Sequence, residues 1–113
     1  MHEFSIALNI VDISTEYAEK EGASGIREVE IEVGSLSGVV IDALEFALES
    51  AVKGTLLEGA ELRIEKVEGR ARCSECNHVY PAEELYSPCP LCNGFPEILN
   101  GRELRVRSLT VDE

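Results

Sequence analysis

Residues 73–92 read CSECNHVYPAEELYSPCPLC, which places Cys73, Cys76, Cys89 and Cys92 in the spacing C-x2-C-x12-C-x2-C. Each C-x2-C pair makes a tight knuckle that aims two sulfurs at one point, and the spacer folds the knuckles together. Pro88 and Pro90 around Cys89, with Asn93-Gly94 after Cys92, are turn chemistry suited to such a knuckle. Four soft sulfurs select zinc, or iron, over hard cations. A redox dithiol or a disulfide pair is the remaining reading of the cysteines, and a reducing compartment disfavours it. A site closed by four thiolates keeps no open coordination position, so it is structural and not hydrolytic. His78, two residues beyond Cys76, is expected to hydrogen-bond a thiolate or a carbonyl; the sharper alternative makes it a replacement or extra ligand.

The same segment sets its own boundaries. Residues 70–99 contain all four cysteines, all four prolines and few aliphatic residues, between Gly69 and Asn100-Gly101. About thirty residues cannot hold a fold by apolar burial alone, so metal must supply much of this module's stability.

Outside the module the pattern is helix, strand, helix, strand and a final strand. Residues 4–21 recur at helical spacing through Phe4, Ala7, Leu8, Val11 and Ala18, widened by Ile6, Ile10, Ile13 and Tyr17. Over 27–33 the period changes: Glu28, Glu30 and Glu32 alternate with Val29, Ile31 and Val33, a half-buried strand with one wet face. A turn-rich break at Gly34–Gly38 leads to a second helix over 40–53, with Val40, Leu44, Ala47, Leu48 and Ala51 inside. A second strand near 60–67 turns Leu62 and Ile64 inward. The third, near 102–111, changes parity between Val106 and Leu109, which predicts a bulge at Arg107-Ser108. Arg102, Arg105 and Arg107 are expected to pair across the sheet with the glutamates of the first strand, or to lie solvated at its edge. The fold class is therefore α+β: a three-stranded sheet with two helices, formed by 1–69 and 100–113, plus an inserted four-cysteine, zinc-ribbon-like module at 70–99.

Charge and composition exclude whole classes of function. In 113 residues, 22 Asp and Glu against 10 Lys and Arg give a formal charge of −12. Four thiolates holding one zinc would take this to about −14. Such a surface repels phosphate backbones, and three Phe, three Tyr and no Trp offer few stacking platforms, so no nucleic-acid partner is expected. No apolar run approaches the roughly 18 residues of a membrane span. The N-terminus lacks a basic lead and a cleavage site, so a soluble cytoplasmic protein is expected. With two histidines and no Gly-rich phosphate loop or nucleophile–base–acid set, an enzyme is not expected.

The chain begins Met1-His2-Glu3. The Met1 amine, the His2 backbone amide and the His2 imidazole can close fused chelate rings around one metal. A nitrogen-rich square-planar site of this kind suits Ni(II) or Cu(II). Glu3 can add an oxygen, and its charge is favourable at the start of the first helix.

Met-His-Glu, the Gly34-Ser35-Leu36-Ser37 break, the following helix with Phe46 and the two C-x2-C pairs together resemble the HypA/HybF hydrogenase maturation proteins. The resemblance covers essentially the whole chain. It implies a nickel-binding α/β domain and a zinc domain, with nickel at His2, helped by the Met1 amine and Glu3, and zinc at Cys73, Cys76, Cys89 and Cys92. It also implies delivery of transferable Ni(II) to a hydrogenase large subunit, with a HypB-like maturation GTPase as partner and zinc as a structural ion. Some family members carry a histidine after each cysteine pair; here the first is His78 and the second position is Asn93. Others carry a carboxylate just after the first strand, where this chain has Val40, with Asp42 two residues on as the candidate substitute. The competing readings are a zinc-ribbon interaction module without nickel transfer and a rubredoxin-like iron electron carrier.

Overall fold

The computed structural model describes residues 2–113, the side chain of His2 excepted. Helix α1 spans His2–Lys20, strand β1 Gly25–Gly34, helix α2 Ile41–Ala51 and strand β2 Glu61–Val67. Three short strands follow, β3 (Arg70–Cys73), β4 (Val79–Pro81) and β5 (Pro96–Asn100), before β6 (Leu104–Asp112) closes the chain. There are two three-stranded sheets, in the orders β2-β1-β6 and β4-β3-β5. The second sheet is new relative to the sequence reading, because strands of three to five residues are too short to display a period.

The chain divides into two compact units. The first comprises Met1–Glu32, Val39–Glu65 and Arg105–Glu113; the second comprises Val33–Gly38 and Lys66–Leu104. The core of the first rests on the β1 alternation, with Val29 and Ile31 fully buried, together with Ala7, Ile10, Val11 and Ala18 of α1, Leu44 and Leu48 of α2, and Leu57. Side chains facing the opposite way on β1 meet arginines. Arg105 pairs with Glu32 at 2.6 Å, and Arg107 reaches Glu30 at 3.5 Å and Glu65 at 3.2 Å. These pairs have exposed arginine ends, so each contributes only ~0–1 kcal/mol. Ser108 also donates to Glu30, at 3.0 Å, so two consecutive residues of β6 face one carboxylate. Arg107 and Ser108 are both exposed between half-buried Val106 and Leu109, the change of parity that the sequence shows.

Several expectations need correction. The α1 stripe is narrower than read: Phe4, Leu8, Ile13 and Tyr17 are all exposed, while Ser14 is fully buried in their stead. A helix lying on one sheet needs only a single buried face, and an apolar count cannot say where that face ends. Val40 is exposed and not inside, because α2 begins after it, at Ile41. Arg102 makes no ion pair among the described residues, and Arg63 of β2 takes Glu28 at 3.0 Å.

In the second unit β3 pairs antiparallel with both neighbours, Ala71 opposite Tyr80 on one side and Ile98 on the other. Its buried cluster is small: Ala71, Cys73, Tyr80, Ala82 and Cys89, with Leu36 and Ile98 packed against it. The Gly34–Gly38 break is therefore part of this unit. Leu36 N–H donates to Gly101 at 2.7 Å, Ser35 N–H to Val67 at 2.8 Å, and the Ser35 hydroxyl accepts from Gly69 N–H at 2.9 Å. The approach at Gly34 is so close that an added methyl would overlap the carbonyl of Gly101.

Candidate metal centre

The two knuckles repeat one backbone design. Cys73 N–H donates to the His78 carbonyl at 2.8 Å, and the Cys73 carbonyl accepts from Asn77 N–H at 3.0 Å. The second knuckle matches it: Cys89 N–H donates to Gly94 at 3.1 Å and the Cys89 carbonyl accepts from Asn93 N–H at 2.8 Å. Both turns close through a left-handed asparagine, Asn77 at φ 66° and Asn93 at φ 63°. Asparagine tolerates that conformation because its short polar side chain makes local hydrogen bonds. The repeated C-x2-C-Asn is legible in the sequence, yet only Asn93 was singled out there.

This backbone converges the four sulfurs, all within 4.8 Å of one another. Cys73 and Cys92 stand 3.4 Å apart, Cys76 and Cys92 3.6 Å, and Cys76 and Cys89 3.7 Å. No disulfide is formed. Tetrahedral zinc with bonds of about 2.3 Å needs sulfurs about 3.8 Å apart, so the donor set fits the ion with little adjustment. The first cysteine of each pair is buried and the second exposed.

Amide donors prepare the sulfurs for a cation. The Cys73 sulfur accepts from the N–H groups of Cys76 and Glu75, both at 3.4 Å, and the Cys89 sulfur from Leu91 N–H at 3.4 Å. The Cys76 and Glu75 amides draw the Cys73 thiol down to about 6. Cys92 moves the other way, up to about 12, chiefly through its contact with the Cys73 sulfur. Cys76 is also raised: the His78 amide favours its thiolate, but burial and the Cys73 and Cys89 sulfurs outweigh it. Sulfurs this close cannot all ionise without a compensating positive charge. A divalent ion would supply that charge.

His78 lies beside the centre by its backbone. Its ring stacks on Tyr80, centroids 6.1 Å apart at 15°, and the metal cluster among the described residues consists of the four sulfurs. Tyr80 is buried below, donating its hydroxyl to the Ser87 carbonyl at 2.7 Å.

At the other end of the chain, the Met1 amine and the His2 imidazole lie outside the described residues. Glu3 is described, and its carboxylate accepts the Val40 N–H at 3.1 Å. Val40 is the N-cap residue of α2 and has no side-chain cap of its own. Glu3 thus satisfies one orphan donor of α2 and sets a negative charge at the positive end of its dipole. The bond brings the Glu3 carboxylate to the position where a family carboxylate is expected and Val40 stands. Asp42 occupies the first turn of α2 and is exposed.

Known proteins resemble this chain over nearly its whole length. The family described as hydrogenase/urease nickel incorporation, metallochaperone, HypA matches residues 1–111. Among curated relatives, the hydrogenase maturation factor HypA of Parabacteroides distasonis is 48% identical over 98% of this chain and 97% of its own length. That of Geotalea daltonii is 46% identical over 98% of this chain and 99% of its own. The solution structure of the Ni metallochaperone HypA from Helicobacter pylori superposes with a TM-score of 0.70 at 26% identity, covering 97% of both chains. The fold, the four-cysteine centre and matches that run nearly end to end agree: the chain belongs to the HypA family of nickel-incorporation metallochaperones, which are not enzymes.

Proposed function

We propose that this chain carries Ni(II) at its N-terminus and delivers it for assembly of [NiFe]-hydrogenase. The observation that carries the reading is a match to nickel-incorporation metallochaperones that begins at residue 1 and so takes in Met1-His2-Glu3. The Met1 amine, the His2 amide and the His2 imidazole are the nickel donors, with Glu3 beside them. A chelate built on a chain terminus can release its metal ligand by ligand, as a delivery protein must. The four cysteines hold structural zinc; their closed sulfur set suits retention and not transfer. The zinc domain is the 70–99 module widened to the whole second unit, 33–38 and 66–104, and the first unit is the nickel domain. The recipient is the hydrogenase large subunit, a maturation GTPase of the HypB kind assists, and the setting is the cytoplasm. No described helix is long and apolar enough to cross a membrane.

The donor set dictates a pH dependence. Nickel must displace protons from the amine, the amide and the imidazole, whose ordinary pKa is about 6.5. Affinity therefore falls as pH drops through that value. Isothermal titration of zinc-loaded protein at pH 7.5 and pH 5.5 should show at least tenfold weaker nickel binding at the lower pH. Equal affinity at both would rule out the amine–amide–imidazole chelate.

A further inference from the structure

Among the described residues, strand β2 is a free edge of the first sheet, hydrogen-bonded through its ladder to β1 alone. Its burial alternates, with Leu62 and Ile64 facing inward yet only half covered. Beside them a groove of about 340 Å³ is lined by Leu62, Ile64, Leu48, Glu45 and Glu49. Glu45 and Glu49 are exposed and form no ion pair among the described residues, unlike Glu61 and Glu65 on the outward face of β2, which meet Arg63 and Arg107. The groove therefore combines unpaired backbone groups, incompletely buried aliphatic side chains and two uncompensated carboxylates.

We propose that the β2 edge is a docking site for an extended, basic segment of a partner protein, which adds as a fourth strand to this sheet. Strand addition supplies main-chain hydrogen bonds, and alternate side chains supply the specificity. Successive inward side chains of an added strand lie about 6.7 Å apart. Glu45 and Glu49, one helical turn apart, are spaced by about 5–6 Å. Two successive inward lysines can meet both, their stems covering Leu62 and Ile64 while their ends reach the carboxylates. Flanking inward valines would complete the apolar cover.

The occupant is a basic partner and not a second copy of this chain. The first unit carries 16 acidic residues against 6 basic ones, so two copies joined edge to edge would repel. The opposite edge, β6, is a poorer strand acceptor. Arg107 and Ser108 are both exposed there, which interrupts the alternation, and Arg107 itself lines the neighbouring groove with Ile13 and Tyr17. The inference is independent of the nickel reading, since it uses no residue of the N-terminal chelate.

The test uses the full-length, zinc-loaded protein and the blocked peptide Thr-Val-Thr-Lys-Thr-Lys-Thr-Val-Thr, followed by amide NMR shifts. Saturable changes confined to residues 61–66 and 45–49 are expected. Binding should weaken at least tenfold for the surface variant Glu45→Lys/Glu49→Lys and for the peptide with glutamate in place of lysine. Methylating the peptide's amide nitrogens at alternate positions should abolish binding in one register and spare it in the other, which leaves the protein untouched. Binding that ignores both methylation patterns would be mere charge attraction and would overturn strand addition. So would shifts at Ile13 and Tyr17, self-association through β2 that the peptide does not compete, or no binding at millimolar peptide.

Discussion

A methyl group added at Gly94 would sit 2.8 Å from the Cys73 sulfur and 3.3 Å from that of Cys92. Neither sulfur is free to retreat once a metal holds it, so the knuckle must open. Gly94→Ala is expected to weaken zinc binding at least tenfold, about 1.4 kcal/mol. Competition with a chromophoric chelator measures this, and an unchanged affinity would mean that the second knuckle is looser than its geometry. At the other end of the chain, Glu3 has a structural duty apart from any metal. In nickel-free protein Glu3→Ala should speed hydrogen exchange at the Val40 amide by roughly fivefold, the scale of a lost helix cap at about 1 kcal/mol. Glu3→Gln, which keeps an acceptor, should lie between the two. Equal exchange in all three proteins would show that the bond from Val40 to Glu3 contributes nothing.

Elements with a strong period were legible before any coordinates. The β1 alternation of glutamates with Val29, Ile31 and Val33 left one possible inward face, and the structure buries all three. The parity break between Val106 and Leu109 was legible for the same reason, and the burial of β6 changes phase at Arg107-Ser108. Helix α1 was read as a helix, but its buried face was drawn too wide, because exposure of Ile13 and Tyr17 depends on what packs nearby and not on spacing. The strands around the cysteines were invisible, since β4 has only three residues and takes its shape from the knuckles. The cysteine spacing made the centre legible, whereas the amide donors to sulfur and the bond from Val40 to Glu3 arise only when distant segments meet.

Across the whole molecule the two units differ in what holds them. The first has a core of large aliphatic side chains on two helices and a sheet. The second is built around a cluster of five buried residues, two of which are the cysteines Cys73 and Cys89. Removing zinc should therefore erase hydrogen-exchange protection over 66–104 while amides of Val29 and Ile31 stay protected. Simultaneous loss across both units would show one cooperative fold, and retained protection in the second would deny zinc its structural role.

Whether nickel binds at the chain terminus is decided by one titration. Zinc-loaded protein with its native, unextended Met1 is titrated with Ni(II) while visible d–d absorption is followed, beside His2→Ala. One equivalent bound with a square-planar spectrum is expected, lost in His2→Ala while zinc is retained. Nickel binding that is absent, or that survives the loss of His2 unchanged, would contradict that expectation.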